Sequence, residues 1–241
     1  MARMDVTLDE LADAIGAAVP HLNADEQRIA VEAYRLLADG EPVSAADLAR
    51  AIDVPSTRVE DALTSWPGVY RDEEGRVVGF WGLAISPLDP EYRVEVDGKT
   101  VYTWCAWDTL FIPAILGKTA RVGATCPVTG QPVSLVVDPA GVREVTPAGA
   151  VVSIVIPEGP FGYDVIESFC HRVLFFASED AGSTWVSEHE GTTLLSVEEA
   201  FELGRRHIRR IAPDVFGDAA EPDHPGVSSG YPVVISREED E

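Results

Sequence analysis

The apolar positions at the start of the chain recur at helical spacing. Val6, Leu8, Leu11, Ile15 and Val19 fall on one helix face, and Pro20 closes the pattern. Asn23, followed by Glu26, reads as a capping box for a second helix. Its apolar positions are Ile29, Ala30, Ala33, Leu36 and Leu37, and Gly40 ends it. Ser44 caps a short helix carrying Leu48 and Ile52, and Ser56 caps another carrying Val59, Ala62 and Leu63. The period then drops to two. Gly68–Tyr70 and Val77–Trp81 read as strands joined by the polar turn Arg71–Arg76. Helices followed by a hairpin form a winged-helix-like module, assigned to residues 1–86.

Pro87–Pro90 marks a boundary, and beyond it alternation dominates. Tyr92–Val96 and Thr100–Trp104 flank Asp97-Gly98, a hairpin turn signal. A helix over Asp108–Leu116 ends at Gly117, and Pro113 inside it predicts a kink or an early stop. Strands are expected at Thr119–Ala124, Val133–Val137, Val142–Thr146 and Val151–Ile156. Pro157–Tyr163 reads as a loop, Val165–Cys170 as the start of a new element and Val173–Ala177 as a buried strand. Ser183–Glu190 reads as a short helix, and Ser196–Arg210 as a longer one with Glu199 in the capping-box position. The fold class expected is α+β: an N-terminal helical winged-helix-like module, then a mixed or antiparallel sheet core with flanking helices. Residues 87–212 form the expected catalytic α+β domain. Residues 213–241, rich in Asp, Glu, Pro and Gly, read as an acidic flexible tail in which Gly230–Ile235 has strand composition.

Composition narrows the function classes. With 46% hydrophobic residues and five Trp, the chain can bury a sizeable core. A formal net charge of −23 opposes binding to nucleic acid and to anionic membrane surfaces. That charge bears directly on the winged-helix-like module, because this shape ordinarily places its second helix in DNA. Here that helix offers Arg58 beside Glu60 and Asp61, and the wing turn holds Asp72, Glu73 and Glu74. Arg205, Arg206, Arg209 and Arg210 lie near a helix C-terminus, where the helix dipole favours cations. No stretch approaches the roughly 18 apolar residues of a membrane span. The N-terminus also lacks a signal-peptide pattern, so a cytoplasmic location is expected.

Three cysteines do not make a disulfide framework, so Cys105, Cys126 and Cys170 are read as thiols. Structural zinc calls for four ligands in close pairs, and Cys126-Pro127-Val128-Thr129-Gly130 supplies at most half of a knuckle. His21, His171, His189, His207 and His224 sit in no recognisable nucleophile motif. Cys105 lies where a strand gives way to a helix, and a helix N-terminus lowers a thiol pKa. Asp108 follows three residues later, within reach of one site. Spacing alone leaves a plainer reading open, in which Cys105 is a small core residue and Asp108 a helix cap.

The run Trp104-Cys105-Ala106-Trp107-Asp108-Thr109-Leu110 resembles the signature of the organomercurial (alkylmercury) lyases, Trp-Cys-Ala-x-Asp-Thr-Leu. Further blocks are similar to the family in order and spacing: Gly117-Lys118-Thr119-Ala120-Arg121-Val122, and Cys126 through Leu135 with Thr129, Gly130, Pro132, Val133 and Ser134. So are Ser168-Phe169-Cys170 leading into Phe175-Phe176-Ala177-Ser178, and a closing helix like Ser196–Gly204. The likeness spans roughly residues 25–210. It implies an active site of Cys105, Cys170 and Asp108, with Asp108 as acid/base, and a structural role for Cys126. His171 departs from relatives that carry a further cysteine there, and the likeness does not account for the acidic tail.

The implied reaction is protonolysis, R–Hg–X plus H⁺ giving RH plus Hg(II). Hg(II) is soft and is best held by thiolates. Two sulfurs on mercury weaken the carbon–mercury bond, and one carboxyl can take a thiol proton and pass it to carbon. Trp104, Trp107, Phe169 and Phe175 are candidates to line a dry pocket that would raise the Asp108 pKa. The implied metal ligands are thus Cys105, Cys170 and Asp108. The reading requires no intrinsic cofactor, organomercurial substrates, and external thiols or a mercuric reductase to receive Hg(II). The competing readings are a winged-helix regulator responding to metal and a non-catalytic mercury-binding protein.

Overall fold

The computed structural model describes residues 6–217. Its N-terminal part is α1 (Leu8–Ala18), α2 (Ala24–Leu37), α3 (Ala45–Ile52) and α4 (Ser56–Ser65), followed by β1 (Val69–Arg71) and β2 (Val77–Phe80). The capping boxes read from sequence form at Asn23/Glu26 and Ser196/Glu199, and others form at Thr7/Glu10 and Ser44/Asp47. Pro55, not Ser56, occupies the cap of α4, and it makes no side-chain cap bond.

The remaining strands are β3 (Leu83–Ala84), β4 (Tyr92–Val96), β5 (Lys99–Thr103), β6 (Ala120–Thr125), β7 (Pro132–Asp138), β8 (Gly141–Thr146), β9 (Val151–Val155), β10 (Phe175–Phe176) and β11 (Thr192–Ser196). They build an eight-stranded sheet in the order β1-β2-β3-β5-β4-β6-β7-β8 and a three-stranded sheet in the order β10-β9-β11. Every neighbouring pair is antiparallel, which settles the mixed-or-antiparallel alternative. The short strand β3, which sequence alternation does not reveal, bridges the wing strands to β5. The larger sheet therefore runs through the Pro87–Pro90 boundary. In β4, Tyr92, Val94 and Val96 are buried while Arg93 and Glu95 face out, the alternation expected of a sheet with one covered face.

The helices that cover the sheets are α5 (Asp108–Leu116), α6 (Val165–Ser168), α7 (Glu179–Ser187), α8 (Val197–Ile211) and α9 (Pro213–Phe216), with a 3₁₀ turn over Cys170–Arg172. Pro113 neither kinks α5 into two pieces nor stops it: the helix continues to Leu116. Tertiary packing overrides the local penalty, because nearly every residue of α5 is buried. Gly117, in the left-handed region, ends the helix. The Gly117 and Lys118 N–H groups both return to the Pro113 carbonyl. The helix expected at Ser183–Glu190 begins earlier, at Glu179, because the Ser178 hydroxyl caps it. α8 packs against α1 on one side and α5 on the other. Its arginines serve that packing: Arg206 pairs with Asp9 at 2.6 Å and Arg210 with Asp13 at 2.7 Å. The strand composition at Gly230–Ile235 and nearly all of the tail lie outside the described residues.

Candidate active site

Cys105 sits in the short link between β5 and α5, and Asp108 is the first residue of α5. Cys170 opens the 3₁₀ turn that leads into β10. These segments are joined directly by Ala106 N–H, which donates to the Val173 carbonyl at 3.1 Å. Ser153 on β9 pins the stretch after Cys170 from below. Its hydroxyl donates to the Arg172 carbonyl at 2.9 Å and accepts from Leu174 N–H at 2.9 Å. Sixty-five residues of chain are thereby closed, and ligand atoms of Cys105, Asp108 and Cys170 lie within 4.8 Å of one another. No other group of three potential metal-ligating side chains forms among the described residues.

Asp108 is fixed at close quarters. One carboxylate oxygen accepts from Cys105 N–H at 2.9 Å. Gly82, at φ +96°, lies so close that a β-carbon there would fall 2.6 Å from the Asp108 carboxyl carbon. Only glycine combines that backbone with that approach. The preceding Trp81 is held by the Tyr34 hydroxyl, which donates to its carbonyl at 2.7 Å.

All three groups are buried, and burial sets their protonation. It raises Asp108 to about 7, against hydrogen bonds from Cys105 that favour the carboxylate. Burial also pushes the Cys105 thiol well above its ordinary range, helped by its hydrogen bond to Cys170 and by the Asp108 charge. For Cys170 that shared hydrogen bond acts downward, but burial and the Asp108 charge leave its pKa raised. The free site thus favours neutral thiols near a carboxyl that exchanges its proton around neutrality. The thiols need a base before they can serve as thiolates, and Asp108 is in place to be that base.

A cavity of about 70 Å³ opens beside the cluster. Asp108 and Cys170 line it, whereas Cys105 does not. Of the four aromatic candidates, Trp104, Trp107 and Phe169 form its walls, while Phe175 is fully buried and packs against Tyr92. Further walls come from Ile15 of α1, Tyr34 of α2, Phe80 and Trp81 of the hairpin region, Phe161 of the loop before α6, and His207 of α8. None of these stands out in the sequence, because each looks like an ordinary core or loop position in its own element. His207 offered one signal, a lone imidazole on the apolar face of an amphipathic helix.

Cys126 stands apart from the cluster, on the turn between β6 and β7. Burial raises its pKa, but hydrogen bonds from the Thr129 side chain and from the backbone of Ala177, Thr129 and Val128 outweigh this and lower it. Such a sulfur is tied into the turn. His171, next to Cys170, is exposed and does not join the cluster.

A family model described as alkylmercury lyase matches residues 85–209, and one described as the helix-turn-helix domain of alkylmercury lyase matches residues 20–81. The chain is 46% identical to an alkylmercury lyase of Streptomyces lividans over 171 residues, 71% of this chain and 77% of that one. It is 40% identical to one of Pseudomonas putida over 184 residues, 76% of this chain and 84% of that one. Among solved structures it resembles the mercury-bound form of MerB2, with a TM-score of 0.66 and 21% identity, covering 85% of this chain and 98% of that one. The fold is therefore shared with that protein. Taken with the two family models, which together run from residue 20 to residue 209, the identities place this chain in the alkylmercury lyase family.

Proposed function

We propose that this lyase cleaves carbon–mercury bonds by protonolysis, with mercury held by Cys105 and Cys170 and the proton moved by Asp108. The observation that carries the reading is the meeting of two thiols and one carboxyl within 4.8 Å beside an apolar cavity. R–Hg–X enters, one sulfur replaces X on mercury, and that thiol's proton leaves with X. As the second sulfur binds, Asp108 accepts its proton. Two sulfur donors load mercury with electron density, and the carbon–mercury bond pair becomes basic enough to take the proton back from Asp108. RH departs and Hg(II) remains on two thiolates. Two external thiols, or a mercuric reductase, then take the metal and return the protons to the cysteines. A carboxyl with a pKa of about 7 suits both halves of this exchange, since neither protonation state is strongly favoured at neutral pH. Every step is a ligand exchange or a proton transfer with no change in the oxidation state of mercury, so it calls for no organic cofactor.

The test is purified protein with phenylmercury and excess thiol, with benzene measured in the headspace. Benzene is expected from the wild type. Cys105→Ser, Cys170→Ser and Asp108→Ala should each lower the rate by about 100-fold or more. Normal turnover in one variant removes that residue from the mechanism, and no benzene from the wild type sinks the reading.

The regulator reading finds less support in the helix-turn-helix region. Arg58 pairs with Asp25, Arg50 with Asp47 at 2.9 Å, Arg71 with Glu60 at 3.1 Å, and Arg76 with Asp72 at 2.7 Å. Cations already matched by carboxylates are poorly placed to neutralise phosphates. No described helix is long and apolar enough to cross a membrane.

A further inference from the structure

His207 is a polar group that the protonolysis scheme leaves without a task. It projects from the buried face of α8 into the wall of the cavity shared by Asp108 and Cys170. Its ring packs on Trp107, with centroids 5.0 Å apart, and on Phe111 at 5.4 Å. The residue is only 5% exposed, and Nδ1 is buried with no hydrogen-bond partner among the described residues. Burial, reinforced by the Arg210 charge, lowers its pKa to about 4, so the imidazole is neutral at neutral pH. A neutral imidazole offers one N–H donor and one ring-nitrogen acceptor. Where a ring nitrogen of His207 reaches the cavity, a guest that supplies its partner relieves the cost of leaving it unpaired in an apolar wall.

We propose that His207 is a specificity-determining residue that hydrogen-bonds a hydroxyl carried on the organic group of the substrate, so that hydroxyl-bearing arylmercurials are a preferred substrate class. The proposal deepens the lyase reading and rests on it. The rest of the wall explains why this one residue would decide. Trp104, Trp107, Phe111, Phe161 and Phe169 offer an aryl ring apolar surface, and the Tyr34 hydroxyl is already committed to the Trp81 carbonyl. A pocket built to pair a hydroxyl discriminates strongly against an isostere lacking it, whereas a purely apolar pocket does not.

The experiment compares 3-hydroxyphenylmercury with 3-methylphenylmercury, which are near-isosteric, by the release of phenol and toluene. The wild type should favour the hydroxyl substrate by about tenfold in kcat/KM, mainly through KM. His207→Leu should bring the ratio close to one, and His207→Gln, which keeps a donor and an acceptor, should restore part of it. A ratio that His207→Leu leaves unchanged, or a wild type that does not discriminate, overturns the proposal while the lyase reading stands. Product from neither substrate overturns both. Nitrogen-15 chemical shifts of the imidazole in unmutated protein give a readout independent of turnover and of variant folding. Phenol should move the His207 signal and toluene should not; equal responses to the two overturn the proposal.

Discussion

Burying Asp108 raises its pKa to about 7, and linkage turns that shift into a dependence of stability on pH. An unfolded aspartate ionises near 4. Between the two values the native state holds a proton that the unfolded chain has lost. The stability contributed by this residue is therefore full below about pH 4 and falls as pH rises to about 7. Asp108→Asn lacks the ionisation. Its stability relative to the wild type should improve by up to roughly 4 kcal/mol between pH 4 and pH 8. Urea unfolding of both proteins across that range is the measurement, and a constant difference would show that Asp108 titrates as an ordinary carboxyl. The pairing of Cys105 with Asp108 was legible because three residues at a strand-to-helix junction bring both to one helix start. Their meeting with Cys170 was legible only through family likeness. It depends on Ser153 and on the Ala106–Val173 hydrogen bond, neither of which leaves a mark in the local sequence.

At the level of elements, the site depends on how closely α8 approaches α5. Gly204 is the contact point: a β-carbon there would lie 2.7 Å from Phe111 Cβ and 3.5 Å from Trp107 Nε1. Gly204→Ala gains about 1 kcal/mol of helix propensity. It meets an overpacking cost of about 1–3 kcal/mol against a Cβ that cannot swing away. We expect a net loss of stability and a drop in turnover of at least severalfold, since Trp107 and Asp108 are neighbours. Thermal unfolding and benzene release would check both, and a stabilised, fully active variant would mean that the helices separate easily. Capping boxes made the starts of α2 and α8 readable, and Gly117 the end of α5. Pro113 misled because α5 is buried nearly all round, and a helix with no exposed face carries no periodic signature. Strand β3, with two residues, is too short for alternation to register.

Across the whole molecule, alternation and turn signals pointed to a mixed or antiparallel sheet core with flanking helices; the strand pairing makes it antiparallel and adds β11, which carried no strand signal. No such signal pointed to the cavity, because its walls come from α1, α2, the hairpin region, α5, the loop before α6 and α8. Such convergence is a property of the assembled chain and of no single segment. It also places the two sulfurs unequally: Cys170 is in the cavity wall, while Cys105 is wholly enclosed behind it. A small electrophile such as iodoacetamide should therefore mark Cys170 well before Cys105, as peptide mapping by mass spectrometry would reveal. Labelling of Cys105 first would point to a different entrance. Under the proposed protonolysis the same inequality would act on departing metal: an incoming thiol would meet the outer sulfur's bond to mercury first, the inner one would be the last tie to break, and product release would be an ordered unfastening rather than a single exchange.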